Sequence, residues 1–132
     1  MNVALFSKMP YDPVKNFAPV TLVSVSPPLL LVHPSVPVKS VKELIALAKA
    51  QPGKLAYASV GIGTLGHLAM TMLAKQAGVE ITHVPYRGGG PAMNDVLGGH
   101  VDLIAGSAAL VTAQLGTNML RPILQLGRER MA

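Results

Sequence analysis

The sequence predicts an α/β domain in which helices cover both faces of a mostly parallel sheet. Short apolar runs typical of strands alternate with helical segments of ~10–13 residues, which is the pattern of right-handed βαβ units. Half of the residues are hydrophobic and only 13% are charged, as suits a sheet that is buried on both faces. Thirteen glycines and eleven prolines fit many short connections. With 132 residues, the chain is long enough to form one domain with a sizeable core.

The first strands are predicted to follow an irregular start. We expect residues 1–16 to form an irregular N-terminal segment, because Tyr11-Asp12-Pro13 is a turn signal. Ala18–Val25 is predicted to be a strand, and Leu29–Val32 a second strand. The pair Pro27-Pro28 between them indicates an edge, a kink or a crossover.

The first helix has the clearest start signal in the sequence. Ser40, followed three residues later by Glu43, forms a capping box in which each side chain accepts a hydrogen bond from the backbone of the other. An apolar stripe at helical spacing begins at Val41, and Pro52-Gly53 ends the helix. The sequence therefore predicts an amphipathic helix from Val41 to just before Pro52.

A glycine loop leads from the next strand into the next helix. The strand is predicted over Leu55–Val60 and the helix over Leu65–Ala77, with Gly61-Ile62-Gly63 and the N-cap Thr64 between them. The N–H groups that start a helix lack intrahelical partners, and the helix dipole is positive there. Thr64 is expected to cap one donor with its hydroxyl and to leave the others for an anion. A tight turn that binds nothing is the alternative.

The second half of the chain repeats the alternation of strand, loop and helix. Gly78 is expected to end the preceding helix in the left-handed conformation, and Pro91 to occupy the first position of the following helix. The predicted order is strand Val79–Tyr86, loop Arg87–Gly90, a helix that ends at Gly98-Gly99, strand Val101–Ala105, helix Ala108–Leu115 and strand Leu120–Leu126.

Three loops are predicted to lie at one edge of the sheet. Because the carboxyl ends of parallel strands share an edge, Gly61–Thr64, Arg87–Gly90 and Gly106-Ser107 are expected to converge on a binding crevice. Arg87, beside three glycines, can present its guanidinium to a carboxylate, with Tyr86 next to it. A solvated arginine that binds nothing is the alternative.

Other chemistry has little support in the sequence. His67 is expected to orient the first glycine loop, to approach a ligand, or to be satisfied by nearby backbone. The four histidines are dispersed, so no metal site is predicted, and without cysteine there is no thiol or disulfide chemistry. The nucleophile-elbow, zinc-protease and P-loop motifs are absent. The net charge of +5 favours anionic ligands, but without stacking aromatics it does not indicate nucleic-acid binding.

A rival interpretation uses the same glycines to bind a nucleotide. Gly61, Gly63 and Gly66 match G-x-G-x-x-G between a strand and a helix, which is the dinucleotide fingerprint. This fingerprint also requires an acidic residue ~20 positions later, at the end of the next strand. Glu80 has about this spacing but lies at the start of its strand, whereas Arg87 at the far end suits a 2′-phosphate. A nucleotide-binding enzyme domain therefore stays an alternative function.

Five motifs in a fixed order carry a resemblance to a known family. They are Tyr11–Val20, Ser40–Leu44, Tyr57–Ser59, His83–Gly89 and Leu97–Asp102. Together they resemble the Bug family, the extracytoplasmic solute receptors of tripartite tricarboxylate transporters. The match weakens after Gly106, because Leu110–Gly116 lacks the prolines that the family commonly has there.

This resemblance implies one lobe of a two-lobed periplasmic binding protein of the type II class, with a Rossmann-like α/β fold. Residues 17–127 would form the lobe, and residues 128–132 a truncated hinge or tail. The resemblance also implies capture of a small carboxylate for membrane transporter subunits, without enzymatic activity or a cofactor. The location would be periplasmic if the protein is exported, although no signal peptide is visible at Met1–Ala4.

The resemblance also places the ligand. The ligand loops of the family match Ser59–Thr64 and Tyr86–Gly89, where backbone amides and bridging waters hold a carboxylate. Together with the predicted loops, the expected ligand-binding residues are Ser59, Gly61, Gly63, Thr64, Leu65, His67, Tyr86, Arg87, Gly88, Gly89 and Ser107. A single lobe exposes apolar surface, so a homo-oligomer is expected as well. An isolated interaction or dimerisation lobe without a ligand is a further alternative.

Overall fold

The computed structural model describes residues 8–126, which form a five-stranded sheet with helices on both faces. The strands are β1 (Pro28–Val32), β2 (Ala56–Ser59), β3 (Thr82–Pro85), β4 (Leu103–Ser107) and β5 (Arg121–Gln125). The helices are α1 (Val41–Ala50), α2 (Leu65–Ala77), α3 (Gly89–Leu97) and the single turn α4 (Ala108–Val111), which a 3₁₀ turn (Thr112–Gln114) follows. Within this described range, no helix is long and apolar enough to cross a bilayer.

The strand directions place three carboxyl ends at one edge of the sheet. The strand order is β3-β2-β4-β1-β5, with β2 parallel to both β3 and β4. Strand β1 is antiparallel to both of its neighbours, β4 and β5, so four of the five strands run in one direction. The expected mostly parallel sheet is confirmed. The start of β1 lies beside the end of β5. The N–H group of Leu126 donates to the carbonyl of Pro28 there, at 2.9 Å.

The hydrophobic core has two halves because the side chains of each strand alternate between the two faces of the sheet. On one face, the strands pack against α3 and α4 through Leu31, Ile104 and Val96. On the other face, they pack against α1 and α2 through Leu44 and Met70. Both faces are therefore buried, as the low charge content predicts.

The predicted helix starts and ends are largely confirmed. Helix α1 begins after Ser40, whose Oγ accepts from the N–H group of Glu43 at 3.2 Å. The return bond differs from the prediction, because the Glu43 carboxylate accepts from the N–H group of Lys39 at 2.8 Å. Helix α2 has the predicted bounds and ends at Gly78, which has φ 62° and ψ 45°. Helix α3 ends at Gly98-Gly99, as predicted.

The predicted strand Ala18–Val25 is wrong. These residues form no strand, and Val20 and Val23 are 94% and 90% exposed. Their strand-like composition needs a neighbouring strand and a packed face to take effect. In the described part of the chain, these residues pair with none of the five strands, although β3 and β5 each leave one edge of the sheet open.

Several other strand and helix boundaries differ from their predicted positions. The strand predicted over Val79–Tyr86 is limited to β3, and the strand predicted over Val101–Ala105 begins at Leu103. Before it, the carboxylate of Asp102 accepts from the N–H group of Ala56 at 2.8 Å, which fixes the amino end of β4 beside β2. Pro91 is the third residue of α3 rather than the first.

The helix predicted over Ala108–Leu115 is also corrected. It is divided into α4 and the 3₁₀ turn, and Gly116 after it has φ 88°. Two expectations lie partly or wholly outside the described residues. They are the irregular start, described only from residue 8, and the tail over residues 128–132.

We predict that Gly66→Ala destabilises the fold. A Cβ atom at Gly66 would overlap the carbonyl oxygen of Ala105 and approach its carbonyl carbon to 2.7 Å. Because this is backbone of the central sheet, it cannot move aside, and overpacking of this kind costs about 1–3 kcal/mol. Urea denaturation monitored by circular dichroism measures the loss of unfolding free energy.

The matched control for this measurement is Gly90→Ala. Gly90 also lies in the first turn of a helix, but a Cβ there meets nothing within 4 Å. This variant is expected to be neutral or slightly stabilising. Equal urea midpoints for Gly66→Ala and the wild type would contradict the close packing of α2 on β4.

Candidate ligand-binding site

An open pocket of about 420 Å³ lies where three helices begin. The loops after β2 and β3 and the carboxyl end of β4 all contribute to it, so the three predicted segments converge as the strand directions require. The predicted loop Gly106-Ser107 is corrected, because these residues are the last two of β4 and α4 follows at once. No charged side chain is among its lining residues, which are Val60, Thr64, Leu65, Gly66, Gly88, Gly89, Gly106, Ser107 and Leu110. The pocket is therefore lined by backbone, apolar groups and two hydroxyls.

Two of the helices present uncapped N-termini at this pocket. Neither α2 nor α3 has a side-chain capping bond, and their first residues line the pocket. The predicted capping by Thr64 is wrong, because its hydroxyl donates to the carbonyl of Gly61 at 2.7 Å. The first N–H groups of each helix lack intrahelical acceptors and carry the positive end of its dipole. This edge of the sheet can therefore bind an anion through backbone donors.

His67 holds the first glycine loop from behind the pocket. Its Nδ1 accepts from the N–H group of Gly63 at 3.0 Å, which requires an imidazole without a proton on that nitrogen. Gly63 has φ 75°, a conformation that favours glycine. Of the predicted roles for His67, the structure therefore supports orientation of the loop. The same bond engages the Gly63 amide, which the sequence predicts to be free for a ligand.

A stack of three rings supports the same loop. The ring of His83 lies between Tyr57 and His67, with centroid separations of 4.8 and 4.3 Å. Its Nε2 lies 2.7 Å from Oγ of Ser59, and this Oγ donates to the carbonyl of Gly61 at 3.0 Å. The consistent assignment has the Nε2–H group of His83 donating to Ser59. The loop after β2 is thus tied to β3 and α2 by side chains.

Sequence reasoning missed the participation of His83 and Tyr57 in this stack. The available signal was strand register, because Tyr57 and His83 are directly paired in parallel strands. Burial, and next the charge of His67, lower the pKa of His83 below its ordinary value. Both effects disfavour the protonated form of His83.

The pair of Ser59 and His83 does not form a nucleophile. Ser59 is fully buried, so its oxygen cannot reach a substrate. Moreover, activation of a serine requires a histidine nitrogen that accepts the hydroxyl proton, whereas here the hydroxyl donates to Gly61. The pair is a structural support for the loop.

Tyr86 and Arg87 lie away from the pocket lining. The hydroxyl of Tyr86 donates to Oδ2 of Asp95 on α3 at 2.6 Å. Burial, followed by this carboxylate, raises the pKa of Tyr86 to about 12. Arg87 is exposed and has no hydrogen bond or ion pair with any residue between 8 and 126. Neither side chain is among those that line the pocket.

The acidic residue of the nucleotide interpretation also lies elsewhere. Glu80 lines a second pocket of about 340 Å³ between α2 and β3, together with Tyr57, Thr71 and His83. It is absent from the pocket at the helix starts, so that pocket has no carboxylate for ribose hydroxyls. Among residues 8–126, no three histidine, aspartate or glutamate side chains are grouped to hold a metal ion.

Comparison with known proteins gives one consistent answer. The family model described as "Tripartite tricarboxylate transporter family receptor" matches residues 2–132. A curated Pseudomonas sp. protein, "UPF0065 protein in tcbD-tcbE intergenic region", is 38% identical over 92% of this chain and 35% of its own length. Bug proteins are among the other relatives. The chain thus spans about a third of the curated relatives that it matches first.

Solved structures with the same fold include two ligand complexes. "R. palustris Rpa4515 with adipate" matches with a TM-score of 0.88 and 35% identity, over 95% of this chain and 42% of the other. "MatC (Rpa3494) from Rhodopseudomonas palustris with bound malate" matches with a TM-score of 0.85 and 30% identity, over 97% and 44%. The expected fold, a lobe of a type II periplasmic binding protein, is therefore confirmed.

The ring stack yields a prediction about the pKa of His83. His67→Gln removes the ring that, when protonated, repels a proton on His83, and it keeps an acceptor for the N–H group of Gly63. We expect the pKa of His83 to rise but to stay below 6.5, because burial is the larger cause of its depression. NMR titration of the ring resonances measures this change.

The matched control is His100→Gln, at an exposed histidine outside the stack. It should leave the pKa of His83 unchanged. An unaltered pKa in His67→Gln would contradict the contact between the two rings.

Proposed function

The chain belongs to the tripartite tricarboxylate transporter receptor family, and from this premise we propose that it is a carboxylate-binding lobe of a solute receptor. The family match confirms the resemblance that five sequence motifs carry. The observation that carries the proposal is the convergence of uncapped helix starts on one pocket without charged side chains. Such donors suit a small anion, and related receptors were solved with adipate and with malate.

We propose that the backbone amides at the starts of α2 and α3 hold the carboxylate. The candidates are the N–H groups of Leu65, Gly66, Gly88 and Gly89, with the hydroxyl of Ser107 at the mouth of the pocket. Five other predicted site residues support these donors without contacting the carboxylate in this proposal. Ser59, Gly61, Gly63, Thr64 and His67 shape the loop through their mutual hydrogen bonds.

Backbone donors should contribute more to binding than Arg87. A charge-assisted hydrogen bond contributes about 1.5–3 kcal/mol, whereas an exposed ion pair contributes about 0–1 kcal/mol. Arg87 is exposed, and Tyr86 already donates to Asp95. We therefore propose secondary roles for both. The carboxylate would remain partly in water, which screens these contacts and limits the affinity of this chain to about the millimolar range.

The proposal includes a location and a partner. Members of this family are periplasmic binding proteins, and we propose that this chain acts there as well, after export. It would deliver its ligand to the membrane subunits of a tripartite tricarboxylate transporter. We propose no enzymatic activity, in keeping with the buried oxygen of Ser59 and the absence of charged side chains from the pocket lining.

Self-association is proposed from a different observation. The apolar arm, residues 14–25, has no strand partner and exposes Val14, Phe17, Val20, Leu22, Val23 and Val25. Exposed apolar surface of this extent marks an interaction site. We propose that this arm is covered by a second copy when the 132-residue chain is on its own in solution.

The proposed function predicts that the chain binds a carboxylate through these backbone amides. Titration of the ¹⁵N-labelled chain with adipate should shift the amides of Leu65, Gly66, Gly88 and Gly89, with a Kd on the order of millimolar. Gly63→Val should raise this Kd about tenfold or more, because valine disfavours φ 75° and the helix start would be displaced. Arg87→Ala should raise it at most about fivefold.

The control is the remainder of the NMR spectrum, which must stay native in both variants. Loss of binding in Arg87→Ala with full binding in Gly63→Val would overturn the backbone mechanism. Titration with AMP tests the nucleotide interpretation. Tighter binding of AMP than of adipate at the same amides would favour that interpretation instead.

The proposed interface predicts that the chain associates with itself in solution. Sedimentation velocity of the 132-residue chain should show a dimer or higher oligomer at micromolar concentration. The variant Val20→Asn/Leu22→Asn/Val23→Asn should shift the chain toward monomer by at least about tenfold in Kd, since each exposed valine or leucine loses about 1.5–3 kcal/mol of burial in the interface. Met72→Asn, at an exposed position on α2, is the matched control and should leave association unchanged. A wild-type monomer at all concentrations would refute the proposed interface.

A further inference from the structure

Leu110 lies at the floor of the pocket between two of its loops. It is the third residue of α4 and is partly buried. A Cβ atom at Gly106 would approach Cδ2 of Leu110 to 2.6 Å, and a Cβ at Gly89 would overlap Cδ1 of the same side chain. The two methyl groups of Leu110 therefore pack directly on glycine backbone at the end of β4 and at the start of α3.

This contact gives the pocket one large apolar side chain beside its backbone donors. Gly89 is both a lining residue at the start of α3 and a direct neighbour of Leu110. A carboxylate on the N–H groups of this helix start therefore has its next carbon atoms close to the Leu110 methyl groups. Carbon atoms without polar substituents bury favourably there.

A hydroxyl group on these carbon atoms would find few partners. Leu110 offers no hydrogen-bond partner, the Thr64 hydroxyl already donates its proton to the carbonyl of Gly61 and can only accept, and Ser107 is exposed at the mouth. A polar group that leaves water without a new hydrogen bond weakens binding. The side chain at position 110 thus decides whether the pocket tolerates a hydroxyl beside the bound carboxylate.

We propose that Leu110 is a specificity-determining residue that selects carboxylates with an unsubstituted carbon chain over 2-hydroxy acids. This inference rests on the proposed function and names the ligand class for the same pocket. Succinate and malate differ by one hydroxyl, so they form a matched pair of probes.

The test is a ¹⁵N NMR titration of the 132-residue chain with each probe. The wild type is expected to bind succinate several-fold more tightly than malate, on the order of 3–10-fold, because an open pocket discriminates less than the ~100-fold of an enclosed apolar site. Leu110→Ser supplies a hydroxyl and removes the methyl groups. It is expected to bring this ratio to about one or to reverse it.

The matched control is Leu115→Ser, which replaces an exposed leucine outside the pocket lining and should keep the wild-type ratio. A second measurement needs no variant. Intermolecular NOEs are expected between the methylene protons of succinate and the methyl groups of Leu110 in the wild type. Their absence at saturating succinate would overturn the inference, even if Leu110→Ser fails to fold.

The outcomes separate the inference from the function on which it rests. Binding of both probes with the same ratio in the wild type and in Leu110→Ser overturns the role of Leu110 and leaves the proposed function standing. If neither probe shifts the amides of α2 and α3, both the inference and the proposed function are overturned.

Discussion

The close approach of α2 to β4 is the constraint on which the rest of the site depends. Gly66 lies directly on the carbonyl of Ala105, at a distance that no side chain permits. This contact brings the first turn of α2 to the carboxyl end of β4, where Gly106 and Ser107 continue the pocket wall. A larger residue would lift the helix start from the sheet and separate its donors from those of α3. The pocket therefore exists because a glycine occupies the second position of this helix.

The sequence predicted helix starts and ends correctly where a few neighbouring residues determine them. The cap at Ser40, the bounds of α2 and the left-handed Gly78 all follow from a few neighbouring residues, and each agrees with its prediction. The failed strand Ala18–Val25 shows the limit of such signals, because β propensity has no effect without a strand to pair with. Strand β3 is likewise shorter than the predicted Val79–Tyr86, because only the four residues that pair with β2 form a strand.

The position of the candidate site could be predicted from the sequence, but the hydrogen bonds within it could not. Parallel strands followed by glycine loops indicated where donors meet, since that depends only on strand direction. Which atoms are engaged depends on where individual side chains lie in the folded chain. His67 occupies the amide of Gly63, His83 reaches Ser59 across 24 positions, and Asp95 accepts from Tyr86. Spacing alone gives no information about these pairings.

The adjacency of the ends of β1 and β5 has a consequence for modularity. The backbone bond between Leu126 and Pro28 brings the two ends of this segment side by side at one corner of the sheet. Residues 28–126 thus have the geometry of an insertable domain. Neighbouring termini are what allows a domain to be inserted into another chain or circularly permuted. Such a segment would be joined to its host through two adjacent antiparallel strands, and its pocket would be transferred without rebuilding the sheet.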